Sequence, residues 1–244
     1  MTIANELQLL QTNLTASYTA CNDKGATMPV NQNFSNLASC IDTIPTGGGS
    51  PDLFGILFKG EIDANGVYTL PYDLTYTGDV SFDGIKSLNT YSATSGGAFA
   101  NYLYHEPSQA LRMKCRLING TVSFPDLESV NGKSAFASIC NGQTLITKVY
   151  FPKLATITGG GTGGNNTNNF YYAFKNCTSL TDIYFNAVTS ANASTFKAQL
   201  GTTMLNGVTN CKVHFPSNLS SAIGSATFGG SGNTGTVFDL PATE

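Results

Sequence analysis

The stretches VSFDGIKSL (80–88), VSFPDLESV (122–130) and VYFPKLATI (149–157) align without a gap, and their reading decides the fold. In each, positions 1, 3, 6 and 9 are apolar and position 3 is phenylalanine. IYFNAVTSA (183–191) and VHFPSNLSS (213–221) share the opening and then drift. Strand side chains alternate between faces, so a β-branched residue and a phenylalanine two positions later point the same way. One short strand of this kind cannot bury its ring alone, whereas several can by stacking. Phe82, Phe124, Phe151, Phe185 and Phe215 are therefore expected to form successive rungs. They are spaced by 27 to 42 residues, which predicts that length changes are absorbed in loops on one side. A second recurrence lies between the anchors: Ala98–Phe99, Ala135–Phe136 and Ala173–Phe174. Cys140 and Cys177 follow the last two at similar offsets and are expected to stack as neighbours.

Working outward, LFGILFKGEI (53–62) and VYTLPY (67–72) flank Asp63–Ala64–Asn65–Gly66, and Asn-Gly is a strong hairpin signal. Residues 52–78 thus read as an N-terminal hairpin cap and 79–221 as the repeats. At the far end, ATFGG (226–230) and TVFDLP (236–241) flank a Gly/Ser/Asn turn. Residues 222–244 are accordingly expected to form a second hairpin that protects the sheet edge. GGGTGGNNTNN (159–169) is the largest expected exposed loop.

The first 46 residues follow a different period. Ile3, Leu7, Leu10, Leu14 and Cys21, with Tyr18 close to the same line, make an apolar stripe at helical spacing. Asn5, Gln8, Gln11 and Thr12 lie on the other side, and Gly25 is a stop signal. A second stripe, Phe34, Leu37, Ile41 and Ile44, ends at Pro45, with Asn33 or Ser35 as its cap. Two short helices cannot bury two stripes unaided. They can pack on each other, on the following domain, or on copies of themselves. The last option nominates Ile3, Leu7, Leu10, Leu14, Tyr18, Phe34, Leu37 and Ile41 as oligomerisation or attachment residues, with a homotrimer expected. Gly47–Pro51 is a Gly-rich linker that sets residues 1–46 apart from 52–244.

Hydrophobic residues make up 41% of the chain, enough for a packed core, but charged residues only 11%. Typical soluble domains carry about a quarter. A surface of Thr, Ser, Asn and Gly instead of charge fits an extracellular or virion β-protein. The net charge is −3 and the densest basic stretch is Arg112–Lys114–Arg116, too narrow a footprint for nucleic acid. No apolar run is long enough to cross a bilayer, so no membrane insertion is expected. MTIANELQLL lacks the basic start and apolar core of a signal peptide, which predicts cytosolic synthesis and another route of release.

The six cysteines show no CxxC or CxxH spacing and read as free core thiols. His105 and His214 stand in no metal-binding pattern, and His214, between Val213 and Phe215 on a strand, is expected to face solvent. No GxSxG elbow is present, and Gly159–Gly164 is not followed by the Lys-Ser/Thr of a phosphate loop. Asp126 and Glu128 are the residue types of a glycosidase pair, though strand-surface acids are the plainer reading. No catalytic, cofactor-binding or metal-binding residue is assigned, and the expectation is a non-enzyme. Tyrosine offers rigid contact area at low entropic cost, and loops on rigid scaffolds carry function. Tyr91, Tyr102, Tyr104, Tyr171 and Tyr172, with Asn165 and Asn166, are therefore the candidate recognition residues.

AFKNCTSLTDIYF (173–185) and VYFPKLATI resemble the BspA-like class of bacterial leucine-rich repeat, over residues about 80–221. The resemblance implies a mostly β fold: an irregular leucine-rich-repeat solenoid with a parallel sheet along one face, serving adhesion or protein contact. The chain departs from that class in its irregular unit lengths, and neither a secretion signal nor a cell-wall anchor is expected from its reading. Residues 1–46 resemble the N-terminal segments of phage tail-fibre, head-fibre and related virion proteins, which attach a distal module and often trimerise. Together the two resemblances imply a non-enzymatic virion protein of fibre or decoration type, assembled in the host cytoplasm. Residues 1–46 would then bind copies of the chain and other virion proteins, and the repeats a host-surface protein or glycan. A bacterial surface adhesin and a capsule-degrading β-solenoid enzyme are the alternatives.

Overall fold

The Val-x-Phe stretches pair as parallel strands in the register that their alignment requires. The computed structural model describes residues 2–23, 27–42, 57, 61–62, 64–66, 68–69, 75–89, 99–100, 102–105, 115–158 and 168–244. The chain divides into two compact units, 1–49 and 50–244. The first holds α1 (Ile3–Asp23) and α2 (Phe34–Asp42). The second begins with β1 (Glu61–Ile62), β2 (Tyr68–Thr69), β3 (Thr75–Thr77), β4 (Val80–Ser81), β5 (Ser87–Asn89), β6 (Leu117–Asn119), β7 (Thr121–Ser123) and β8 (Ser129–Asn131). It continues with β9 (Lys148–Phe151), β10 (Thr156–Thr158), β11 (Asp182–Phe185), α3 (Ala193–Leu200), β12 (Lys212–Pro216), α4 (Ser220–Ile223) and β13 (Gly235–Leu240).

Each pass of the chain lays its strands beside those of the pass before. The main sheet runs β13-β12-β11-β9-β7-β4, parallel throughout, with Val80, Val122, Val149, Ile183 and Val213 in one row. Position 9 of the repeat forms a second parallel sheet, β10-β8-β5, in which Leu88, Val130 and Ile157 line up and are buried. Position 3 builds the centre of the core. Phe82, Phe124, Phe151 and Phe185 stack in sequence, with ring centroids 4.6, 5.0 and 5.1 Å apart and planes within 11° of parallel. Phe99, Phe136 and Phe170 make a second column, which meets the first edge-to-face. Such contacts add to the area that each ring removes from water.

The third wall corrects one alignment. Sequence similarity sets Ala173–Phe174 against Ala135–Phe136, but Phe136 N donates to Asn169 O at 2.9 Å and Cys140 N to Ala173 O at 2.8 Å. Residues 135 and 169, like 147 and 181, correspond at a constant offset of 34. Phe170 therefore stacks on Phe136, and Phe174 falls one turn later, opposite Cys140. Ring-on-ring packing outweighs the Ala-Phe match. Cys140 and Cys177 are consequently not equivalent positions, although Cys177 Sγ donates to Cys140 O at 3.0 Å. Left-handed residues recur on this wall, among them Gly142 and Asn176 at the same 34-residue offset. At Gly142 a Cβ would lie 1.8 Å from His105 O, so the passes approach too closely for a side chain.

The two ends differ from each other. β1 and β2 pair antiparallel around Asn65–Gly66, as a hairpin requires, while Leu57, expected on a strand, is helical and fully buried. The expected C-terminal hairpin does not form. β13 instead pairs parallel with β12, and residues 226–234 turn along the third wall, where Leu205 N donates to Phe228 O and Ser231 N to Val208 O. Thr236 and Phe238 continue the rows of Val213 and Phe215, so burial favours one more pass over a hairpin. All six cysteines are buried, and no disulfide joins one to another.

Phe151 touches the rings of Phe124, Phe136, Phe170 and Phe185. Its replacement by alanine should lower the unfolding free energy by about 3–5 kcal/mol, read from the denaturant midpoint with an unchanged slope. A loss below about 1 kcal/mol would contradict the central place given to the ladder.

Candidate functional site

In the helical unit, the stripe that the sequence reads as continuous divides into two. Leu14, Tyr18 and Cys21 on α1 close over Cys40 on α2, with Leu37 and Met28 packed at the margin. Tyr18 hydroxyl donates to Asn33 O at 2.8 Å, and Asn33 Oδ1 caps α2 by accepting from Asn36 N at 3.0 Å. Ile3, Leu7 and Leu10 lie beyond the reach of the short α2 and remain exposed, Ile3 by 78%. Phe34 and Ile41, on the outer side of α2, are exposed as well. Of the eight nominated attachment residues, Leu14, Tyr18 and Leu37 are thus turned to the unit's own interior. The hydroxyls of Thr12, Thr15, Ser17 and Thr19 donate to carbonyls four residues back in α1, which leaves that side polar but internally satisfied.

In the repeat unit, position 2 of each strand points away from the core. Ser81, Ser123, Tyr150, Tyr184 and His214 occupy that row. Tyr150 and Tyr184 stack at 4.9 Å, and Tyr184 and His214 at 4.4 Å, with planes within 14°. Rings that stack on one another along the row turn their faces to their neighbours and their edges outward. His214 lies on the outward side, as alternation requires, yet it is only 8% exposed rather than facing solvent. Neighbouring strands cover it: Nδ1 lies 2.9 and 3.0 Å from the Asp239 carboxylate oxygens, and Nε2 lies 3.0 Å from Asp182 Oδ1.

Asp182 also accepts from Thr181 hydroxyl at 2.7 Å and has Lys148 Nζ at 4.0 Å. Partial burial works to raise its pKa. The hydrogen bonds from Thr181 and His214 and the positive charges of His214 and Lys148 outweigh that, and the carboxyl sits below its ordinary value. Burial, then the Asp182 charge, pushes the Tyr184 phenol up. The result is a flat, fixed row of aromatic edges and hydroxyls flanked by both signs of charge. Such a row presents ring edges and hydroxyl groups on the outward side of the sheet. Position 2 of the aligned repeats carries this row in the sequence, whereas the recognition candidates read from the sequence lie in the loops.

The nominated loop residues fare unequally. Tyr91, Asn165 and Asn166 lie outside the described residues. Tyr104 is buried, and Tyr102 is half-buried with its ring against Phe82 and Phe99. Their segment runs along the third wall, where Leu103 N donates to Ile139 O and His105 N to Asn141 O. These two tyrosines therefore pack the first pass. Tyr171 and Tyr172 are half-buried, their rings 4.1 Å apart, with Lys175 Nζ 4.8 Å from the centre of the Tyr172 ring. Asp126 accepts from Lys153 Nζ at 2.7 Å and Gly84 N at 2.9 Å, which ties three passes together.

A cleft of about 650 Å³ lies between α3 and the last turns, lined by Asn168, Ser194, Lys197, Thr202 and Phe228 among others. None of its lining residues is a carboxylate, histidine or cysteine, and the Lys197 amine donates to Ile223 O. Among the described residues, no group of three or more His, Cys, Asp or Glu side chains is placed to hold a metal ion. Nor is any helix among them long and apolar enough to cross a membrane. No protein-family model matches the chain, and no curated protein or solved structure matches it either.

A carboxyl whose pKa is lowered on folding contributes stability above its unfolded value, about 3.9, and loses it as the pH falls through the folded value. Asp182→Asn should therefore cost about 1–2 kcal/mol near neutral pH, and the gap from the parent should close below about pH 4. Denaturant titration at several pH values checks this. A gap that stays constant into acid would exclude the charged network as its cause.

Proposed function

We propose that the chain is a non-enzymatic virion structural protein of fibre or decoration type. Residues 1–46 attach it to copies of itself and to other virion proteins. Residues 52–244, an irregular leucine-rich-repeat solenoid, offer a surface to a host protein or glycan. The observation that carries this reading is the exposed stripe in the helical unit. Its inner core is complete with Leu14, Tyr18, Cys21 and Cys40, yet Ile3, Leu7, Leu10, Phe34 and Ile41 remain uncovered. Each such side chain forgoes about 1.5–3 kcal/mol of burial, and soluble chains seldom leave a contiguous apolar face open without a partner.

Copies of the same helix suit that face. The exposed α1 residues keep coiled-coil spacing, and Glu6 is the single charge in residues 2–22, so identical helices meet with little like-charge repulsion. The parallel Val-x-Phe register supports the repeat class, and the row of Tyr150, Tyr184 and His214 supports recognition on the sheet face. A bacterial surface adhesin of the same class would use that face equally and differ only in how it is attached.

Sedimentation of the full chain at micromolar concentration should give a trimer, and Leu7→Ser with Leu10→Ser should give a monomer with an unchanged melt of the repeat unit. A parent chain that sediments as a monomer would remove self-association from the proposal.

A further inference from the structure

Cys21, in the last turn of α1, and Cys40, in the last turn of α2, face each other in the small core of the helical unit. Both are buried in the same small cluster, with Met28 Sδ 3.9 Å from Cys40 Sγ. The other four cysteines differ in setting. Cys115, Cys140, Cys177 and Cys211 belong to the continuous core of the repeat unit; burial raises their thiols as it raises that of Cys40, and the difference lies in what covers them. Reaching them requires the stack to open. Reaching Cys21 and Cys40 requires only that α2, nine residues long and held by a few side chains, lift from α1. Small units with little buried area open far more often than a continuous core.

We propose that Cys21 and Cys40 are a latent disulfide pair that clamps α2 onto α1 when the protein meets a small-molecule disulfide such as oxidised glutathione. One cysteine, as thiolate, attacks a glutathione sulfur; the glutathione disulfide breaks, and one glutathione leaves as a thiol carrying the proton. The second cysteine attacks the protein sulfur of the mixed disulfide and releases the other glutathione, which takes up the second proton. Two protein thiols are oxidised and one glutathione disulfide is reduced to two thiols. The clamp also sets the length of the attachment seam, a consequence that rests on the reading of α1 given above. With α2 held down, Leu14 and Tyr18 stay covered and the seam ends at Leu10. With α2 lifted, the same stripe would run on to Cys21.

The test uses the intact chain, incubated without denaturant in a mixture of oxidised and reduced glutathione, quenched in acid, then alkylated in denaturant and mapped by mass spectrometry. A Cys21–Cys40 cross-link with the other four cysteines alkylated is expected, together with slower hydrogen exchange across α2 than in the reduced chain. Cys40→Ser should abolish the cross-link and leave Cys21 carrying glutathione. Separate glutathione adducts on Cys21 and Cys40 in the parent chain, or two free thiols there while repeat-unit cysteines oxidise, would overturn the proposal. Sedimentation of the oxidised and reduced chains reports on the seam separately: monomers in both states would sink the seam reading and leave the cross-link map to decide the clamp.

Discussion

A phenylalanine on a short strand has nothing beneath its ring unless the next pass of chain supplies a ring at the same height. The repeat unit is organised around that need. Because Phe82, Phe124, Phe151 and Phe185 must meet face to face, their strands must run parallel and in one register, whatever the length of chain between them. The valine row and the second sheet follow from the same register. So does the outer row, where the spacing that stacks phenylalanines inside stacks Tyr150, Tyr184 and His214 outside. The outer row is thus a by-product of core geometry, and its rigidity is inherited from the core.

Unequal passes leave backbone groups at the junctions without strand partners, and buried polar side chains meet them. Gln143 accepts from Ile118 N and donates to the carbonyls of Leu103 and Arg116. Asn169 accepts from Ala135 N and donates to Gln199 Oε1. An unpaired buried amide or carbonyl costs about 1–3 kcal/mol, so these residues let passes of different length share one core. They also explain why the third wall is built of turns: side chains serve the irregular segments, and strands the regular ones.

The parallel rows were legible in the sequence because position 3 is a large ring in every unit and position 1 is always β-branched. The N-terminal hairpin was legible from Asn65–Gly66, a signal with a conformational cause in the left-handed Gly66. The third wall was misread at Phe174, since a two-residue match carries less energy than the stacking of Phe170 on Phe136. The C-terminal end was misread because turn residues at 229–235 suit a reversal in either wall, and only the rows of Thr236 and Phe238 distinguish another parallel strand. In the candidate site, alternation gave the side of the strand on which His214 lies. It could not give the cover, which comes from Asp182 and Asp239, 32 and 25 residues away. The helical stripe was legible in composition, but its division depends on the short reach of α2, which covers Leu14 and Tyr18 and stops before Leu10.

If stacked rings hold the passes together, protection from solvent must be greatest where rungs lie on both sides and must fall toward the ends. Native-state hydrogen exchange of the full chain measures this directly. The amides of Val149, Phe151, Ile183 and Phe185 should exchange only through global unfolding, while those of β13, with a neighbour on one side alone, should exchange through smaller openings. Amides of β9 and β11 that exchange as readily as those of β13 would show that the passes open independently, and would contradict the ladder as the source of the fold.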